Sequence, residues 1–181
     1  MQKNTGKRSS TRRYSTEEFK SLLSMTEYVK HKREISQWDV IFANAKLLDI
    51  GSTSIVKTGN SGSANSILDK IERRDEAAAK NKAYSTIENL IIESFYIIDP
   101  QYRIYVYDLY IKPDKRKLRN SPAAEAERYG YDRRKFVPQL NSALDEAVKT
   151  SRVTDILDEV RNIALENNIE ELINIYAKEE V

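Results

Sequence analysis

Gly130-Tyr131-Asp132-Arg133-Arg134-Lys135 sets three cations directly behind a glycine and an aspartate. Gly past a helix end and Asp before a helix start is how one helix stops and the next begins. Phe136, Leu140, Ala143, Leu144 and Ala147 then recur at the spacing of one apolar helix face. The first turn of that helix therefore combines free backbone donors, the positive end of the helix dipole and three cationic side chains. Such an end binds anions. Arg reads guanine with two hydrogen bonds, and Arg and Lys both hold phosphate. The chemistry is recognition of a polyanion, not bond making.

Upstream, Ser121-Pro122 reads as an N-cap followed by proline at the first helical position, with Ala123, Ala124 and Ala126 behind it. The order is a short helix (Ser121–Tyr129), a tight glycine turn and a longer helix (Asp132–Val148). That is the layout of a helix-turn-helix, whose second helix enters the major groove by its N-terminal end. Any helical hairpin with a Gly turn and surface arginines has the same spacing, so a solvated charged face is the competing reading. Pro138 falls inside the second helix, where it removes a backbone hydrogen bond at a cost of roughly 3 kcal/mol. A start nearer Val137 would leave Arg133–Lys135 in the turn, contacting phosphates more than bases.

Little else in the chain can do chemistry. There is no cysteine, so disulfides, thiolate metal sites and cysteine nucleophiles are excluded. His31 is the only histidine, and it lies within Lys30-His31-Lys32-Arg33, which disfavours its charged form and repels a metal. No Gly-rich phosphate loop, HExxH or GxSxG is present. The expectation is a protein that is not an enzyme and takes no cofactor and no metal. No apolar run is long enough to span a bilayer, and the polar, basic start has no apolar signal core. A soluble, cytoplasmic protein without a membrane partner is expected.

Net charge is only +2, but the charges are unevenly spread. Residues 1–35 carry nine Lys/Arg against four acids, and residues 112–135 again carry nine against four. Residues 150–181 carry three against eight. Two basic regions suggest a polyanionic partner, and the acidic tail needs a different role.

The elements that must position these residues read as all-α. Residues 1–14 form a basic arm without apolar periodicity, expected to be disordered, whose Lys7, Arg8, Arg12 and Arg13 either add salt-dependent affinity or merely solubilise. Residues 15–50 form an N-terminal helical unit. Ser15 and Glu18 make a capping box ahead of Phe19, Leu22, Leu23, Met25 and Tyr28, and a second helix spans about Ser36–Leu48 with Trp38, Ile41, Phe42, Ala45 and Leu48 as its stripe. Residues 51–65, rich in Gly, Ser, Thr and Asn, read as a linker. Residues 66–150 are the expected DNA-binding domain, opening with a long helix that Asp99-Pro100 stops. Residues 100–111 fit either a helix or a strand, with the helix favoured by context. Residues 151–181 form an acidic amphipathic tail of two helices broken near Asn167-Asn168. It either packs on its own chain or offers a contact to a second copy or to RNA polymerase.

Residues 90–148 resemble the C-terminal part of ArpU/RinA-type phage late-transcription regulators, which are similar to sigma factor region 4. The resemblance rests on Ser121-Pro122-Ala123-Ala124-Glu125-Ala126-Glu127-Arg128-Tyr129-Gly130-Tyr131-Asp132-Arg133-Arg134-Lys135-Phe136, then Ala143-Leu144 and Ala147. It covers about half the chain, counting the linker and long helix. Asp132 stands where the family has a capping Ser, and Pro138 where it has a polar or basic residue. The resemblance implies a DNA-binding transcriptional regulator with double-stranded DNA as partner. Arg133, Arg134, Lys135 and Gln139 would face the duplex, followed by Tyr131 and Asn141. Lys115, Arg116, Lys117 and Arg119 would hold flanking phosphates, and Ser121 and Gly130 would shape the motif. The alternatives are a phage packaging adaptor of the small-terminase kind, which binds DNA as a ring, and a structural helical interaction protein.

Overall fold

The computed structural model describes residues 13–53, 62–112 and 121–176. Lys7, Arg8, Arg12, Lys115, Arg116, Lys117 and Arg119 lie outside them, as does residues 54–61 of the expected linker. Every element among the described residues is helical: α1 Thr16–Ser24, α2 Thr26–Thr53, α3 Gly62–Ile97, α4 Pro100–Val106, α5 Pro122–Arg128, α6 Arg133–Lys149, α7 Ser151–Glu166 and α8 Glu170–Tyr176. The all-α expectation is met. No helix among the described residues is long and apolar enough to cross a membrane.

Local chemistry accounts for most of the boundaries. The Ser15 hydroxyl accepts from the Glu18 amide at 3.2 Å, and the Glu18 carboxylate accepts from the Ser15 amide at 2.7 Å. This is a complete capping box. α1 stops at Met25, and α2 starts one residue later and runs unbroken for 28 residues. The expected pair of helices, one through Tyr28 and one from Ser36, is thus divided differently. Lys30–Ile35 contains good helix formers and no Gly or Pro, so nothing interrupts the helix there. Both ends of the expected linker are also helical, since α2 reaches Thr53 and α3 begins at Gly62.

Residues 100–111 are helical rather than extended. Asp99 caps α4 by accepting from the Gln101 amide at 3.0 Å, with Pro100 at the first position. The helix then widens into one π turn over Tyr107–Ile111, where the Lys112 amide donates to the Tyr107 carbonyl at 2.8 Å. That turn keeps Leu109 and Ile111 buried beside Tyr105 and Val106. The tail breaks where expected. Asn168 takes φ 52°, and the Ile169 amide donates to the Ala164 carbonyl at 2.9 Å. Asn tolerates this left-handed geometry better than most residues.

One hydrophobic core joins α1, the start of α2, the second half of α3, α4 with its π turn, and α5 to α8. Phe19, Leu22, Ile87, Ile91, Leu140, Leu144, Ile156, Leu157 and Leu172 are fully buried in it. α1 lies against the π turn, α6 and α8, while α7 packs on α3, α6 and α8. The Tyr14 hydroxyl donates to Asp158 of α7, and the Thr16 hydroxyl to Asp145 of α6. The acidic tail is therefore part of its own chain's core, through Val153, Ile156, Leu157, Val160, Ile169 and Leu172. α2 and α3 pair along their length, and beyond Val29 and before Ala83 they leave the core as a hairpin.

Candidate nucleic-acid interface

α5, the turn and α6 form from the bottom up. The Ser121 hydroxyl accepts from the Ala124 amide at 3.2 Å, and Pro122 occupies the first helical position. At the far end the Tyr131 amide donates to the Ala126 carbonyl at 2.8 Å, and the Gly130 amide to the Glu127 carbonyl at 3.1 Å. These two bonds define a Schellman motif, which needs a left-handed residue at its centre. Gly130 supplies it with φ +73°. Asp132 then caps α6 by accepting from the Arg134 amide at 3.0 Å.

α6 starts at Arg133, so the three cations occupy its first turn and a start near Val137 does not occur. Phe136, Leu140, Ala143, Leu144, Ala147 and Val148 are buried. Arg133, Arg134, Lys135, Pro138 and Gln139 are exposed. Pro138 neither ends nor delays the helix. Its ring nitrogen has no hydrogen to give the Arg134 carbonyl one turn back, so that oxygen is left without a helical donor on the exposed face.

The cations differ in freedom. The Arg133 guanidinium is 3.8 Å from the Glu127 carboxylate, with both side chains more than 60% exposed (63% and 68%). An exposed pair of that length holds the arginine only loosely. No ion pair engages Arg134 or Lys135 among the described residues. Arg128 is half exposed and has two acidic neighbours, 3.7 Å from Asp108 and 3.6 Å from the buried Glu125. It also lies over the Tyr129 ring at 5.5 Å. Tyr129 donates to Asp108 at 2.8 Å, and this bond, with burial, raises the Tyr129 pKa. Arg13 is exposed at the start of the described chain.

Two residues expected at the interface are placed differently from the cations. Asn141 faces α1, where its side-chain oxygen accepts from the Lys20 ammonium at 3.3 Å. Tyr131 is about half exposed, but it stacks on Phe136 with ring centres 5.3 Å apart and planes 9° apart. Its hydroxyl accepts from Tyr105 at 2.9 Å. That bond, together with burial, pushes the Tyr105 pKa up to about 12. Tyr105 meets Tyr129, Tyr131 and Phe136 edge to face, at 5.0, 5.8 and 4.8 Å. Tyr131 is thus a wall of the turn more than a free reader.

The same aromatic group opens a cleft of about 310 Å³ beside the first turn of α6, shared by Gln101, Tyr102, Tyr105, Tyr131, Lys135 and Gln139. Gln101, Tyr102 and Tyr105 were not expected at the site from the sequence. The signal was the tyrosine density of residues 102–110, which speaks equally for secondary structure. The structure brings together Arg133, Arg134, Lys135, Gln139 and Tyr131, and sets Asn141 apart. No family model matches this chain, and neither a curated protein nor a solved structure matches it.

Proposed function

We propose that this chain is a DNA-binding transcriptional regulator, of the sigma-like kind found among ArpU/RinA-type phage late-gene regulators, acting in the cytoplasm on double-stranded DNA. It works as a binding protein rather than an enzyme. The observation that carries this reading is the capped, solvent-facing first turn of α6, where no ion pair among the described residues engages the exposed Arg134 or Lys135. α6 enters the major groove by that end. Arg134, Lys135 and Gln139 reach base edges and phosphates, and Arg133 exchanges Glu127 for phosphate. α5 crosses the backbone behind it. The acids Asp145 and Glu146 lie further along the exposed side of α6. They confine contact with a duplex to the N-terminal half of the helix.

A packaging adaptor or a structural interaction protein is the second reading. The exposed apolar side of α2, around Trp38 and Phe42, is the observation that favours it.

Fluorescence anisotropy on mixed-sequence duplex DNA across a salt series tests the proposal. The full chain is compared with an Arg133→Ala/Arg134→Ala/Lys135→Ala variant. Loss of roughly 2–3 units of log-salt slope, at about 0.9 per phosphate contact, is expected. Equal binding by both proteins, or no binding by either, would discard the assignment. A wild-type ring of many subunits in light scattering would favour the adaptor.

A further inference from the structure

α2 carries two faces of different composition on opposite sides of one helix. At about 100° per residue, positions 29, 33, 36, 40, 43 and 47 share one face. That face is turned to α3 and holds Val29, Arg33, Ser36, Val40, Ala43 and Leu47, all buried or half-buried. It is a polar seam. Arg33 pairs with Glu88 at 3.0 Å, and the Asn81 amide donates to the Arg33 carbonyl at 3.1 Å and to the Ser36 hydroxyl at 3.3 Å.

The opposite face holds Ile35, Trp38, Ile41, Phe42, Ala45 and Leu48, at coiled-coil spacing. Here the exposures decide the matter: Trp38 59%, Phe42 59% and Leu48 77%. Trp38 and Phe42 lie side by side with ring centres 6.2 Å apart. The hairpin therefore hides the weaker of its two faces and shows the stronger. A contiguous patch of this kind marks an interface.

We propose that this face of α2 docks on the same face of α2 in a second copy of the chain, antiparallel about a two-fold axis near Ala43. Three features select this occupant. The first is charge. Asp39 and Lys46 lie on one flank of the stripe, seven residues apart and both exposed. An axis near Ala43 sets Asp39 of each copy opposite Lys46 of the other, so both pairs form at once. The second is shape. An axis one residue further along, still beside Ala43, brings Phe42 of each copy over the small Ala45 of the other, large on small. A groove of about 380 Å³ between α2 and α3, floored by Ala43 and Ala77, leaves room for an aromatic ring beside it. The third is area. Two aromatic and three aliphatic side chains, each half exposed or so, expose roughly 500 Å² per copy, given 150–250 Å² for a whole aromatic side chain. With the flanking charges this nears the ~800 Å² that each partner gives a standard interface. The pairing lies on the hairpin, away from α6, and does not depend on DNA binding.

Sedimentation equilibrium of the full chain, from low micromolar to several hundred micromolar, tests it. Wild type is expected to dimerise, and Phe42→Glu to stay monomeric while keeping its helical circular dichroism. Asp39→Lys and Lys46→Asp are each expected to weaken the dimer about tenfold, by opposing like charges at two symmetric contacts. The double reversal Asp39→Lys/Lys46→Asp is expected to restore wild-type affinity, which a merely misfolded variant would not do. A wild type that is monomeric throughout would overturn the proposal. So would a dimer indifferent to Phe42→Glu, or a double reversal no tighter than its single changes.

Discussion

α6 and α2 are both long helices with one side turned to a neighbour, and they distribute their residue types in opposite ways. α6 spends its apolar residues inward, on Phe136, Leu140 and Leu144, and presents cations and a glutamine to solvent. α2 turns Arg33 and Ser36 inward among Val29, Val40, Ala43 and Leu47, and presents Trp38, Phe42 and Leu48. The first arrangement holds a polar tool on a rigid base. The second keeps a hairpin together by a polar seam, and leaves its hydrophobic driving force for something outside. Burial alone does not rank the two helices by importance; each keeps a different residue class for its exterior.

The largest expected effect tests whether α6 rests on a core while α2 does not. Leu144→Ala is expected to cost 2–5 kcal/mol in urea unfolding, because the residue is fully buried. Val40→Ala in the α2 seam is expected to cost about 1 kcal/mol or less, as a half-buried deletion. Comparable losses for the two would erase the contrast.

Next is a gain. Pro138 lies exposed within α6, so Pro138→Ala restores a helical hydrogen bond without opening a cavity. It is expected to stabilise the protein by about 1–2 kcal/mol, once the freer unfolded chain offsets part of the ~3 kcal/mol helix penalty. A destabilised variant would show that the ring serves the exterior of α6 instead.

The turn comes after that. A Cβ at Gly130 would meet nothing within 4 Å, so Gly130→Ala costs only the left-handed backbone, about 1 kcal/mol. Asp132→Ala removes the α6 cap, at about 1 kcal/mol. Thermal denaturation measures both. A much larger loss at Gly130 would mean that the turn is crowded.

The smallest effect is confined to alkaline pH. The Tyr105 pKa is raised to about 12, so its neutral form belongs to the fold. That contribution is whole below about 10, the unfolded value, and is lost as pH rises through about 12. Burial also raises Tyr28, Tyr84 and Tyr110, so absorbance titration is expected to show several late tyrosines among the eleven, with one fewer near 12 in Tyr131→Phe. A single transition near 10 would contradict the bond between them.

The local rules were written plainly in the chain. Ser15 with Glu18, Asp99-Pro100, Ser121-Pro122, Gly130, Asp132 and Asn167-Asn168 each mark a boundary that hydrogen bonds then realise. The apolar stripes of α6 and α7 were equally legible, since 3.6-residue spacing sends them to one core. What was hidden depends on other parts of the chain. Residues 30–35 contain no stop signal, yet their polarity suggested a gap rather than a continuous α2. Asn141 sits on the α6 helix with the other candidates, and only the position of α1 turns it away from them. Arg128 belongs to the basic tract by count, and only the fold brings Asp108, twenty residues earlier, within 3.7 Å of it. Tyr105 joins the site through a fold-level meeting of α4 with the turn.

Thr150 closes α6 and opens α7, its hydroxyl donating to the Ala147 carbonyl at 2.6 Å while accepting from the Val153 amide at 3.3 Å. A joint one residue long has no slack. The two helices behave mechanically as a single bent lever, with the cations at one tip and the acidic, core-bound arm of Ile156 and Leu157 at the other. Any torque applied to Arg134 and Lys135 is carried straight into the heart of the molecule.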